Sequence, residues 1–319
     1  MNQLLWTQKQ DIGPAARWCP AMVYDSTRAR MLLFGGATDT GAGFADTWEW
    51  DGENWTQLED IGPQARWGHG MAYDKDRQRV VLFGGTADHG GAANHTRVSL
   101  NDTWEWDGGS WTQMADTGPA TRYGVTLAYD SRRQRTVLFG GEIAGTKNQP
   151  EALLSDTWIW DGVQWTQEQD SGPSERSFYG MAYDSGRDRI VLFGGLEWST
   201  TDYVLLSDTW EYDAVKWTRV ADIGPSPRHA VNLCFTGNAT LLFGGGVETL
   251  NGITAIYKDT WQWDGKHWTQ RQDMGPAARY CAGGAGDTAR SRLVLFGGAS
   301  NSATFGDTWE SFERPLPEG

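Results

Sequence analysis

Residues 66–85 read RWGHGMAYDKDRQRVVLFGG, and DTWEWDG follows at 102–108 with a Trp-Thr pair at Trp111-Thr112. RWGHGMAYD alternates small and larger residues, RVVLFGG is a β-branched run stopped by a diglycine, and DTWEWDG alternates again. Short alternating runs bounded by turn residues are the signature of antiparallel strands. Asp107-Gly108 suits a tight hairpin turn, as do Asp51-Gly52, Asp161-Gly162 and Asp264-Gly265. One such unit is therefore four short strands. A sheet that small cannot bury both faces by itself.

The unit recurs along the chain. Gly-Pro followed by arginine places Arg17, Arg66, Arg122, Arg176, Arg228 and Arg279 at spacings of 49, 56, 54, 52 and 51 residues. Each arginine is followed by a Phe-Gly-Gly, with the first glycine at Gly35, Gly84, Gly140, Gly194, Gly244 and Gly297. Asp-Thr-Trp then places Trp48, Trp104, Trp158, Trp210, Trp261 and Trp309. Trp-Thr closes five units, at Trp55, Trp111, Trp165, Trp217 and Trp268; the sixth copy is Trp6-Thr7, at the start of the chain. A period near 50 with four strands per unit predicts propeller blades stacked around an axis. The last unit ends at ERPLPEG without its fourth strand, so Leu4–Gln8 is expected to supply it and close the ring.

These landmarks resemble the Kelch family, and the resemblance covers essentially the whole chain. It implies an all-β fold: a six-bladed Kelch-type β-propeller over residues 1–319, as one domain with four-stranded antiparallel blades. It implies much less about activity, because one scaffold hosts unrelated functions.

Composition narrows the function classes. The 319 residues carry a formal charge of −14, and no Lys/Arg run exceeds two residues, which argues against nucleic acid. No apolar stretch approaches a membrane span, and the first residues lack a secretory leader pattern. Cys19, Cys234 and Cys281 are an odd number without metal-ligand spacing, which fits a reducing compartment. Together these features predict a cytoplasmic monomer without metal or cofactor.

Of the 19 tryptophans, sixteen occupy repeated positions and are expected between blades; Trp18, Trp67 and Trp198 do not. The aspartates of Asp-Thr-Trp, and those after Tyr24, Tyr73, Tyr129 and Tyr183, are expected to cap turns and pair with Arg30, Arg79, Arg135 and Arg189 at the surface. Cys19 and Cys281 share one repeat position in blades that meet at the closure, and read as small buried hydrophobes. Asp88, His89 and His95 share a loop but lack a further partner at ligand spacing.

The six strand-start arginines have two readings. They are inter-blade struts, or they ring one mouth of the channel and bind anions through their guanidinium forks. In Kelch domains that capture acidic peptides, the pocket is lined by the arginines, the residue after each and the residue after each diglycine. By that resemblance Trp18, Trp67, Tyr123, Ser177, His229 and Tyr280 stand beside the arginines, facing Ala37, Thr86, Glu142, Leu196, Gly246 and Ala299. The long connections at 86–101, 142–155, 196–207 and 246–258 rim the same mouth, with Trp198, Tyr203 and Tyr257 as contacts. The leading expectation is thus an anionic small molecule or acidic peptide bound at a cationic, aromatic mouth. The alternative is a cofactor-independent lyase, isomerase or cyclase using His229, His69, Tyr123 or Glu142 for proton transfer, with nearby arginines lowering the Glu142 pKa. A third is a scaffold without ligand.

Overall fold

The computed structural model describes residues 3–9, 12–58, 61–88, 97–145, 151–168, 171–199, 202–250, 252–272 and 274–315. Among them there is no helix; the chain forms six four-stranded antiparallel sheets arranged in a ring. The innermost strands, Ala21–Asp25, Gly70–Asp74, Leu127–Asp130, Gly180–Asp184, Asn232–Phe235 and Gly283–Asp287, number the blades 1 to 6. Each innermost strand packs beside the next, and the sixth beside the first. Among the described residues no helix is long and apolar enough to cross a membrane.

The outer strand of blade 6 is Gln3–Gln8, which pairs antiparallel with Thr308–Arg314 in continuous register from Gln3 opposite Arg314 to Gln8 opposite Trp309. The amino terminus thus completes the last blade, as the missing Trp-Thr copy requires.

Three repeated devices bind blade to blade. The second strands carry the core: Leu33, Phe34, Phe83, Phe139, Phe193, Phe243 and Phe296 are fully buried. The fourth-strand tryptophan of every blade donates its indole N–H to the threonine of Asp-Thr-Trp in the preceding blade. These bonds run Trp55 to Thr308, Trp111 to Thr47, Trp165 to Thr103, Trp217 to Thr157, Trp268 to Thr209 and Trp6 to Thr260, at 2.8–3.2 Å. Burying an indole requires a partner for its N–H, and threonine supplies it without adding charge. The further repeated tryptophans Trp50, Trp106, Trp160 and Trp263 are at most 3% exposed. Those of Asp-Thr-Trp are only partly buried and donate to the aspartate two residues earlier.

The diglycine is the third device. Gly35 and Gly36 have φ of 67° and 96°, where other residues are strained, and a Cβ on Gly35 would stand 2.6 Å from the Arg66 carbonyl oxygen of the next blade. That close approach lets the Gly36 N–H donate to the same oxygen at 2.9 Å, and all six blades repeat the bond.

Candidate functional site

The arginines are consumed by this architecture. Each is at most 1% exposed. Each Nη1 and Nη2 pair grips both oxygens of its own blade's Asp-Thr-Trp aspartate: Arg17 with Asp46, Arg66 with Asp102, Arg122 with Asp156, Arg176 with Asp208, Arg228 with Asp259 and Arg279 with Asp307, at 2.6–3.0 Å. Nη1 also donates to the first diglycine carbonyl, and Nε to the backbone two residues earlier. Burial raises the pKa of each aspartate, but the arginine bonds outweigh it and hold these carboxyls below their usual range. A guanidinium with its donors engaged and no accessible surface cannot offer a fork to a ligand, so the arginine-lined anion mouth is corrected to a set of internal struts. The aspartates after the inner-strand aromatics cap their turns as expected. Their close ion pairs, however, are made three residues on, Asp25 with Arg28, Asp74 with Arg77, Asp130 with Arg133 and Asp184 with Arg187, while Arg135 of the expected partners also approaches Asp130, at 3.8 Å.

The residues after the arginines do meet those after the diglycines. Trp18 bridges Ala37, Trp67 Thr86, Tyr123 Glu142, Ser177 Leu196, His229 Gly246 and Tyr280 Ala299. One residue further on, the backbone turns left-handed in all six blades, at Cys19, Gly68, Gly124, Phe178, Ala230 and Cys281, with φ of 48–65°. Their amides form a closed circle: Cys19 donates to Cys281, Gly68 to Cys19, Gly124 to Gly68, Phe178 to Gly124, Ala230 to Phe178 and Cys281 to Ala230, at 2.6–3.2 Å. This ring of backbone bonds encircles the channel at one level and forms the floor-like collar of what lies above it.

Above the floor is a cup of about 230 Å³. The long connections build its walls as two-stranded ribbons. In blades 3 and 4 the second and third strands simply continue past the diglycine, Arg135–Ile143 with Ala152–Trp160 and Arg189–Trp198 with Tyr203–Tyr212. Blades 2 and 5 form separate ribbons, Thr86–Asp88 with Arg97–Ser99 and Gly246–Thr249 with Gly252–Ile256. The lining is aromatic and acidic: Trp18, Trp67, Tyr123, Phe178, Trp198, Tyr203 and Tyr280, with Glu142, Glu151, Glu248 and Arg97. Trp18 and Trp67 pack at 4.6 Å between ring centres, and Tyr123 meets Trp67 edge-on at 5.5 Å. Arg97 places its guanidinium over Trp67, 5.3 Å from the ring centre. The mouth is therefore acidic, where the arginines had predicted a cationic one.

Glu142 is 5% exposed and holds the centre of this chemistry. The Tyr123 hydroxyl donates to its Oε1, and Ser177 Oγ donates to Oε2 at 3.0 Å. Burial drives its pKa up to about 7, against the lowering effect of the two hydroxyls, and neighbouring Glu151 adds to the rise. The expected lowering by arginines is corrected, because the buried arginines are spent on their own aspartates. His229 is 3% exposed, and neither ring nitrogen has a hydrogen-bond partner among the described residues. Glu248 Oε2 stands 3.5 Å from its Nε2, beyond ordinary N–H···O hydrogen-bond distance, and burial lowers the imidazole pKa to about 4. Trp198 Nε1 is likewise buried without a partner.

His69 is separated from this group. It lies below the floor, facing a second cavity lined also by Met22, Met71, Tyr179 and Asn232. Its ring packs edge-on to Phe34 between blades 1 and 2, and burial lowers its pKa to about 3. The structure also joins Cys19 and Cys281 as a disulfide between blades 1 and 6, which corrects their reading as free hydrophobes. The cysteines thus no longer argue for a reducing compartment. Cys234 is the free, buried thiol. His89 and His95 lie outside the described residues. Among the described residues no group of three or more His, Cys, Asp and Glu could hold a metal.

The acids Glu151 and Glu248 and the cation Arg97 were not singled out from the sequence. They sit in the long connections expected to rim the mouth, but at positions that do not repeat from blade to blade, so nothing in the pattern marked them.

Comparison with known proteins places this geometry. The KLHDC2/KLHL20/DRC7 Kelch-repeats domain family matches residues 90–298. Among solved structures, that titled "Structure of YjhT" superposes with a TM-score of 0.73 at 14% identity, covering 96% of this chain and 97% of that one. The repeats, the ring of six blades and the family match agree: the chain belongs to the Kelch-repeat family.

Proposed function

We propose that this Kelch propeller is a binding protein for a small organic molecule held in the cup above the backbone floor. One observation carries the reading: the cup is an aromatic cavity lined by His229, 3% exposed, whose ring has no hydrogen-bond partner among the described residues. Buried polar groups are normally satisfied, and an orphan facing a cavity is a place for a ligand's polar group. An anionic ligand would depend on Arg97, the cup's single described cation, rather than on the arginine struts.

The experiment is a thermal-shift screen of small organic molecules against the wild type and Trp67→Leu. A ligand that binds only the native state raises the midpoint with concentration. A shift weakened by Trp67→Leu supports the cup; a shift unaffected by it, but lost on changing surface residues elsewhere, rejects the cup.

A specific observation also favours a catalytic reading. The Tyr123–Glu142–Ser177 chain holds a carboxyl that titrates near neutrality inside the cup, which is the requirement for a general acid or base. In that reading Glu142 exchanges the proton and Tyr123 holds it in place, while His69 takes no part. Turnover of a bound ligand that disappears in Glu142→Gln, with binding retained, would support it. Unchanged turnover would reject it.

A further inference from the structure

Resting on the cup as the ligand site, we infer that its occupant is an organic cation, an ammonium or guanidinium group carried on an apolar or aromatic body. Three carboxylates, Glu142, Glu151 and Glu248, face the cup against one guanidinium, Arg97. The remaining titratable groups there are the tyrosines 123, 203 and 280 and His229, which burial keeps neutral. An anion entering this space meets net like charge, whereas a cation meets opposite charge, with the attraction strongest beside the buried Glu142.

Aromatic faces supply the second argument. A cation over an indole or phenol ring is attracted by the ring quadrupole, most strongly over tryptophan. The protein already makes such a contact internally, since Arg97 lies over Trp67. Independent of the acids, the neutral His229 ring offers an acceptor nitrogen that an ammonium or guanidinium N–H can use, beside its own unpartnered N–H, and nothing among the described residues uses either.

Burial and the nearby Glu151 both favour a proton on Glu142. Binding a cation would replace that proton: Glu142 releases H⁺ to solvent as the ligand's positive charge arrives, so charge in the cup is conserved. Affinity for a permanently charged ligand then rises with pH up to the Glu142 titration and levels off above it.

The test uses four molecules sharing a benzyl-type body: benzyltrimethylammonium and benzylammonium as cations, benzyl alcohol as the neutral form, and benzoate as the anion. Calorimetry on the full chain at pH 6 and 8 would show the cations binding about tenfold or more tighter than the other two, a difference of the size expected for cation–π and charge attraction together. Cation affinity should fall severalfold from pH 8 to pH 6, and binding at pH 6 should release a proton into the buffer. Glu142→Gln should remove the pH dependence. Glu248→Gln should weaken cation binding while preserving it, and stands in if Glu142→Gln fails to fold. Benzoate binding as tightly as the cations, or cation affinity independent of pH in the wild type, overturns the inference. Benzyl alcohol or benzoate binding that Trp67→Leu weakens would end cation selectivity yet leave the cup as a ligand site. Binding by none of the four would end both.

Discussion

Asp208 accepts both outer nitrogens of Arg176, at 2.7 and 3.0 Å, with the arginine side chain fully buried and the aspartate 11% exposed. The same fork closes every blade, locking the segment ahead of the first strand to the Asp-Thr-Trp of the third. It is a piece of the fold, and its chemistry sets the first expectation.

Arg176→Ala should destabilise the protein by about 3–5 kcal/mol, because a buried carboxylate is left without its partner. Removing both, as Arg176→Leu with Asp208→Leu, should cost less than the single Arg176→Leu change. Denaturant unfolding of the three variants measures this. A single variant as stable as wild type would refute the strut.

Deleting residues 1–8 should lower stability by several kcal/mol. The deletion removes the whole pairing with Thr308–Arg314, buried Leu4, and the Trp6 indole bond to Thr260, and loss of one buried large side chain alone typically costs about 2–5 kcal/mol. A truncated chain melting with the full one would show that blade 6 closes by other means.

Glu142 makes stability depend on pH in a defined direction. Its pKa rises from 4.5 to about 7 on folding, so the native state binds more protons than the unfolded state between those values. Its contribution is therefore fully present below 4.5 and is lost as pH rises through about 7, in total about 3 kcal/mol. His69 and His229 act oppositely, since their lowered pKa values make folding favour neutral imidazoles and weaken the protein as pH falls below 6.5. The difference in unfolding free energy between wild type and Glu142→Gln isolates the glutamate. It should shift in favour of the variant from pH 5 to pH 7.5, and a constant difference would contradict the raised pKa.

Alkylation under denaturing, non-reducing conditions should label one thiol, Cys234, and three after reduction. Reduction should also destabilise the ring, by up to about 5 kcal/mol on loop-closure grounds given the separation of 262 residues. Three thiols labelled before reduction would exclude the bridge.

The blade count and the closure were readable because both are written redundantly: Trp6-Thr7 is a displaced copy of a pattern seen five more times. The fate of the arginines was present in the same redundancy, since every Arg17-type residue has an Asp46-type residue in its own unit. Spacing alone, however, does not say which neighbour a side chain faces. The strand start lies at the channel mouth, but the guanidinium turns away from the axis into the blade. Cys19 and Cys281 could be placed as equivalent positions in meeting blades, and the floor they share explains why they touch. The acidity of the cup was out of reach. Glu142 follows a diglycine and could be found by repeat position, whereas Glu151, Glu248 and Arg97 come together only because four ribbons rise around one axis.

The circle of amides from Cys19 to Cys281 joins all six blades through main-chain donors and acceptors alone. The side chains that line the cup can therefore be exchanged without removing any bond from that circle, so a new lining can be built on an unchanged ring.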